Sequence, residues 1–187
     1  PFGASVNPLA AAALLLAALI ALPLETRTAQ LWQLGAAAFL VLVSALVLAD
    51  HAFGGALNAS SFFFPATVAA DLAEGKRNVF GASTALCLIM LAGAQTLRMR
   101  GLVQPAQIVA LLALVPPLVA MIGIVYGRSA LTSAMPAQAA LTVVALAAAL
   151  LGRDPRLGLV SVLVNRRTAG MLARVVLPAA IAIPFLF

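Results

Sequence analysis

Residues 31–49 run for nineteen positions without a charge. As a helix, such a run is long enough to cross the hydrocarbon core of a bilayer. Comparable uncharged runs recur at 8–24, 78–97, 108–126, 136–151 and 175–187. The expected fold class is therefore all-α, a polytopic transmembrane helix bundle with about six spans. Only 9% of the residues are charged, against about 25% in a soluble domain, too few to coat a globule of this size. A net charge of +6 raises the question of nucleic acid. The lysines and arginines answer it by sitting in short clusters between apolar runs, as membrane flanks do against anionic headgroups. Nucleic acid is not an expected partner, and the lipid bilayer is.

Local signals mark the ends of the runs. Asn7 before Pro8 reads as a helix cap followed by proline at the first helical position. Glu25, Thr26 and Arg27 close the first run, and the tight connection makes the first two spans an antiparallel pair. Gly54 and Gly55 disfavour continuing the second helix. Residues 65–73 read as a short helix lying at the membrane surface, with Phe62, Phe63 and Phe64 dipping into the interface. Pro116 and Pro117 should kink or break the fourth span, which lipid tolerates only where neighbours satisfy the freed carbonyls. Residues 153–174 are basic, with an apolar centre at 157–164 too short to span, so an in-plane segment fits. Arg153, Arg156, Arg166, Arg167 and Arg174 would anchor it in the inner leaflet. The last run reaches the final residue, so a single integral membrane domain over 1–187, cut short at both ends, is expected.

Orientation follows from the basic residues. One side receives Arg27, Arg98, Arg100, Arg153, Arg156, Arg166, Arg167 and Arg174, and the other Lys76, Arg77 and Arg128. The richer side is assigned to the cytoplasm. The polar break at 50–77 and the turn at 127–135 then face outward.

The outward connections look related. Phe53-Gly54-Gly55-Ala56-Leu57 compares with Tyr126-Gly127-Arg128-Ser129-Ala130-Leu131. The helix entries beginning at Val6, Phe80 and Met135 each read as a larger apolar residue, three variable positions and an Ala- or Thr-rich helix. A bundle built from repeated helix pairs is one reading, and shared Ala/Leu composition is the other.

These pieces, together with the FFFP stretch at 62–65 and the basic run leading to Leu177-Pro178, carry a family resemblance. The chain resembles the multi-span N-terminal membrane region of bacterial PAS-containing sensor histidine kinases and diguanylate cyclases. It departs at Phe80, where that family prefers Met, and at Ala139-Ala140, where Thr-Ala is usual. The resemblance implies about eight spans and a signalling role. It supplies no ligand site.

No catalytic constellation is evident: one histidine, scattered acids, no phosphate loop and no zinc spacing. The domain itself is not read as an enzyme, and no cofactor can be named. Cys87, the only cysteine, reads as a small buried hydrophobe. Ligand-binding candidates cluster in the outward connections: Asp50, His51, Phe53, Phe62, Phe63, Phe64, Tyr126 and Arg128. Each has a plainer reading. Asp50 and His51 would sit among headgroups, the aromatics would form an interfacial belt with Trp32, and Arg128 would pair with Asp71 or Glu74. Asn58-Ala59-Ser60 matches a glycosylation sequon that a bacterial setting leaves idle. The uncharged span centres weigh against ion transport. Small residues such as Gly35-Ala36-Ala37-Ala38 allow close packing. The expectation is a sensory input module passing a cue at the outer face or in the bilayer to cytoplasmic signalling domains, as a monomer or a homodimer. The alternatives are an accessory subunit of a larger membrane complex, partnered by another membrane protein, or a small transporter.

Overall fold

A computed structural model describes residues 7–23, 26–55, 59, 62, 64–74, 80–127 and 135–161, and every element in them is helical. The helices are α1 (Pro8–Ile20), α2 (Arg27–Ala52), α3 (Pro65–Ala73), α4 (Ala82–Met99), α5 (Val103–Leu112), α6 (Val115–Val125) and α7 (Ala137–Gly152). Phe63, Arg128, Arg166, Arg167, Arg174, the sequon apart from Ala59 and the run 175–187 lie outside the described residues.

Three stretches are long and apolar enough to cross a membrane: α2, α4 and the α5–α6 pair taken as Val103–Val125. This is fewer than the expected six among the described residues. α1 has 13 residues and α7 has 16, shorter than a full span, and the sixth run is not described. α1 stops at Ile20 rather than continuing to residue 24, turning at Ala21 and Leu22.

Local chemistry sets the boundaries. The Asn7 side chain accepts from the Leu9 and Ala10 amides at 2.9 and 3.4 Å and so caps α1, with Pro8 at the first helical position. Such a cap contributes about 1 kcal/mol. Thr26 caps α2 through the Ala29 amide at 3.3 Å. The fourth span breaks at Ala113 and Leu114, just ahead of Pro116 and Pro117. Proline lacks an N–H and its ring crowds the carbonyl four residues back, which here means Leu112 and Ala113. The Cys87 thiol on α4 donates to the Ala113 carbonyl at 3.4 Å. The buried cysteine thus supplies a donor where the prolines withhold one.

α4 is the hub, packing against α1, α2, α5, α6 and α7. Its buried side includes Thr84, Ala85, Cys87, Leu88, Leu91, Ala92, Ala94 and Gln95. The interior is rich in small side chains, among them Ala13, Ala17, Ala37, Ala110, Ala120 and Ala147, whereas Leu15, Leu31, Trp32, Phe39, Leu42 and Leu141 are exposed. Small residues inside and large apolar ones outside suit helices that pack closely and meet lipid. Within Gly35-Ala36-Ala37-Ala38 only Ala37 is buried; a Cβ on Gly35 would meet nothing.

The two compared helix exits share local geometry. Phe53 and Tyr126 each cap the C-terminus of a helix, with φ/ψ of −92/18° and −86/4°. Each precedes a glycine at positive φ, Gly54 at 67° and Gly127 at 62°, where a side chain would be strained. Phe80 and Met135 both stand two positions ahead of a helix, α4 and α7, and both are buried. The helices joined by these connections pack as pairs, α2 on α4 and α6 on α7.

Candidate functional site

At the loop end of the bundle, where α2 and α6 finish, the sequence candidates separate. Asp50 is 6% exposed, and its Oδ2 accepts from the Ala59 amide at 2.9 Å. Its carbonyl accepts from Gly55 N at 2.7 Å. The residue therefore folds the start of the connection back over the end of α2. His51 is exposed and its Nδ1 lies 2.9 Å from the Val47 carbonyl, a contact within its own helix that requires the proton on Nδ1. Neighbours on a helix point about 100° apart, so Asp50 and His51 occupy different surroundings. Phe53, Phe62, Phe64 and Tyr126 are all exposed. α3 spans Pro65–Ala73, as expected, with Val68 buried and most of its other described side chains exposed.

The other end of the bundle, where α1 turns into α2, α4 into α5, and α7 finishes, carries more polar organisation. Arg98 Nε and Nη2 donate to Asp154 Oδ2 and Oδ1 at 2.5 and 3.4 Å. Arg153 Nη1 donates to the Ala21 carbonyl at 3.1 Å. Gln33 Nε2 donates to the Leu22 carbonyl at 2.8 Å. The exposed carbonyls at the C-terminus of α1 thus find donors on α2 and beyond α7, a common role for basic side chains at helix ends. Burial, and then the nearby Arg98, lower the Arg153 pKa from its ordinary value, with Asp154 opposing them.

A third contact set lies beside these. Gln107 on α5 donates through Nε2 to the Leu157 carbonyl at 3.1 Å and accepts at Oε1 from the Val160 amide at 3.2 Å. One side-chain amide thereby grips the turn that follows α7. Gly158, inside that turn, has φ 63°. A Cβ there would overlap the Gln107 amide, so both the backbone and the close approach call for glycine.

A cavity of about 200 Å³ opens among these groups, walled by Gln30, Gln33, Gln95, Arg98, Arg153 and Asp154. Gln95 is 1% exposed, and neither its amide nitrogen nor its oxygen has a hydrogen-bond partner. Among the described residues no group of three His, Cys, Asp or Glu side chains comes together to hold a metal.

No family model, curated protein or solved structure matches the chain.

Sequence reasoning did not single out Gln33, Gln95, Gln107 or Asp154. Glutamine within an apolar run was the available signal for Gln33 and Gln95, and glutamine just ahead of one for Gln107. Their partners lie 11 residues away for Gln33 and 50 or more for Gln107, beyond any local pattern. Arg153, expected at the headgroups, turns back onto α1, while Arg156 is exposed.

Proposed function

We propose that the chain is a sensory input module of a signalling protein in a bacterial inner membrane. It takes a cue at the outer face or within the bilayer and passes a helix movement to cytoplasmic signalling domains. The observation that carries this reading is the attachment of the segment after α7. Arg153 ties it to α1, Asp154 to α4, and Leu157 and Val160 to α5. A displacement of any of these helices acts directly on residues 153–160. The excess of basic residues supports a cytoplasmic position for that end. The loop end, with Asp50, His51, Phe53, Phe62, Phe64 and Tyr126, is then the outward surface for a cue. The resemblance to membrane regions of sensor kinases and cyclases agrees with this assignment, and the domain has no catalytic part in it.

The reading frame beyond Phe187 provides the test. A PAS, kinase or cyclase domain there is the expected result. A stop codon shortly after the next helix overturns the sensor reading and favours an accessory subunit of a membrane complex.

A small transporter is the second reading, favoured by the interruption between α5 and α6. Broken helices of this kind line binding sites in secondary transporters. Uptake of a candidate solute into liposomes, unchanged when Pro116 and Pro117 are both replaced by leucine, counts against it.

A further inference from the structure

We propose that the cavity between α2, α4 and the turn after α7 binds a phosphate-class oxyanion, held by Arg153 and Arg98. Two observations converge on it. First, the cavity holds two guanidinium groups and one carboxylate, so it carries one uncompensated positive charge. Arg98 commits two of its N–H groups to Asp154, and Arg153 commits one to Ala21. A guanidinium has five, arranged in a fork that matches oxyanions. Second, a neighbouring cavity of about 240 Å³ shares Gln30 with the first and adds Arg27 and Arg100, together with Leu31 and Leu34. Arg27, Arg98, Arg100 and Arg153 therefore line two adjoining cavities at one corner of the bundle.

Size narrows the ligand. Pockets for drug-sized molecules measure roughly 300–1,000 Å³, so this cavity takes a phosphate or a compact phosphorylated group. Two sources share that chemistry. One is the headgroup of an anionic lipid, with its acyl chains along Leu31 and Leu34, as basic pockets between membrane helices accept. The other is a soluble phosphate. The proposal does not depend on the signalling reading, because binding is measured on the protein itself.

The experiment follows thermal unfolding of the full chain in nanodiscs. In phosphatidylcholine discs, inorganic phosphate is titrated against chloride at equal ionic strength. In a second arm, part of the phosphatidylcholine is replaced by phosphatidylglycerol. A rise in melting temperature with inorganic phosphate assigns a soluble source, and a rise with phosphatidylglycerol alone assigns the headgroup. Arg153→Gln should raise the phosphate or lipid needed for half the effect roughly tenfold or more, the loss of one charged hydrogen bond. Arg153→Lys should fall between that variant and the wild type. Arg156→Gln should leave the effect intact. No change in the wild type in either arm, meaning that water alone fills the cavity, overturns the proposal. So does a rise that is the same in Arg153→Gln, Arg153→Lys and Arg156→Gln, which marks diffuse surface attraction.

Discussion

Asp154 accepts a bidentate pair of hydrogen bonds from Arg98, and its charge also acts on Arg153, the residue before it in the chain. The Arg98 and Asp154 side chains are only 22% and 24% exposed. Arg153, held on the α1 carbonyl, is a second positive charge near Arg98. One carboxylate thus fastens α4 to the end of α7 and offsets the repulsion between two like charges. The two partners should consequently be unequal under mutation. Asp154→Asn leaves Arg98 and Arg153 uncompensated and should destabilise more than Arg98→Gln. A double-mutant cycle by chemical unfolding in detergent should return a coupling of about 1–2 kcal/mol, between an exposed pair and a buried charged hydrogen bond. Equal losses with no coupling would refute this account of the pair.

The Cys87 thiol should matter as a donor and not only as a filler. Cys87→Ser keeps a donor for the Ala113 carbonyl, whereas Cys87→Ala abandons it. The alanine variant should be less stable than the serine variant by about 1 kcal/mol. Thiol labelling by a maleimide gives a second readout. Cys87 is fully buried, so labelling should proceed only at the rate of unfolding. Fast labelling of the folded protein would contradict the packing of α4 against the α5–α6 break.

Gly158→Ala should loosen the turn after α7. The left-handed backbone alone costs about 1–2 kcal/mol for a residue with a side chain, and the new methyl displaces Gln107. Hydrogen exchange at the Val160 amide is the measurement, since that N–H donates to Gln107. Exchange should accelerate about tenfold or more. Gln107→Leu should free the same amide without backbone strain. Unchanged protection in both variants would show that Gln107 does not hold this turn.

At the loop end, Asp50 and His51 should differ sharply in their contribution to stability. Asp50→Ala removes a buried charged acceptor and should cost about 1.5–3 kcal/mol. His51→Ala alters an exposed side chain and should stay within about 0.5 kcal/mol. If His51 receives a cue, its replacement should dull the response while the melting temperature holds. Comparable destabilisation by the two changes would argue against Asp50 as the residue that organises the connection.

The helical character of the chain was legible because it is written in local chemistry. The Asn7-Pro8 entry, the stop at Gly54 and the short α3 each depend on a few neighbouring residues, and each falls where expected. The break in the fourth span was also legible, though displaced: proline disturbs the carbonyls behind it, so the helix ends before Pro116. The polar node at the basic end was not legible. Gln33 and Gln95 lie within apolar runs and Gln107 just ahead of one, and which of them face inward depends on helix rotation about α4. Asp154 read as one charge in a basic stretch because its partner sits 56 residues away. Alanine-rich periodicity is weak when both faces are apolar, so the inward position of Ala37 and the outward position of Gly35 could not be separated beforehand.

The shortness of α1 has a consequence for the membrane itself. Its 13 residues rise ~20 Å along the helix axis, against a hydrocarbon core of ~30 Å. Asn7 caps one end, and Arg153 holds the Ala21 carbonyl at the other. In a bilayer, the lipids beside Leu15 and Leu19 would meet a wall lower than themselves, while those beside α2 would meet one tall enough. Mismatch of this kind carries a modest free-energy penalty for each ångström. Among the described residues the α1 face would therefore stand lower than the α2 face, and the length of the surrounding acyl chains would bear directly on how α1 sits against its neighbours.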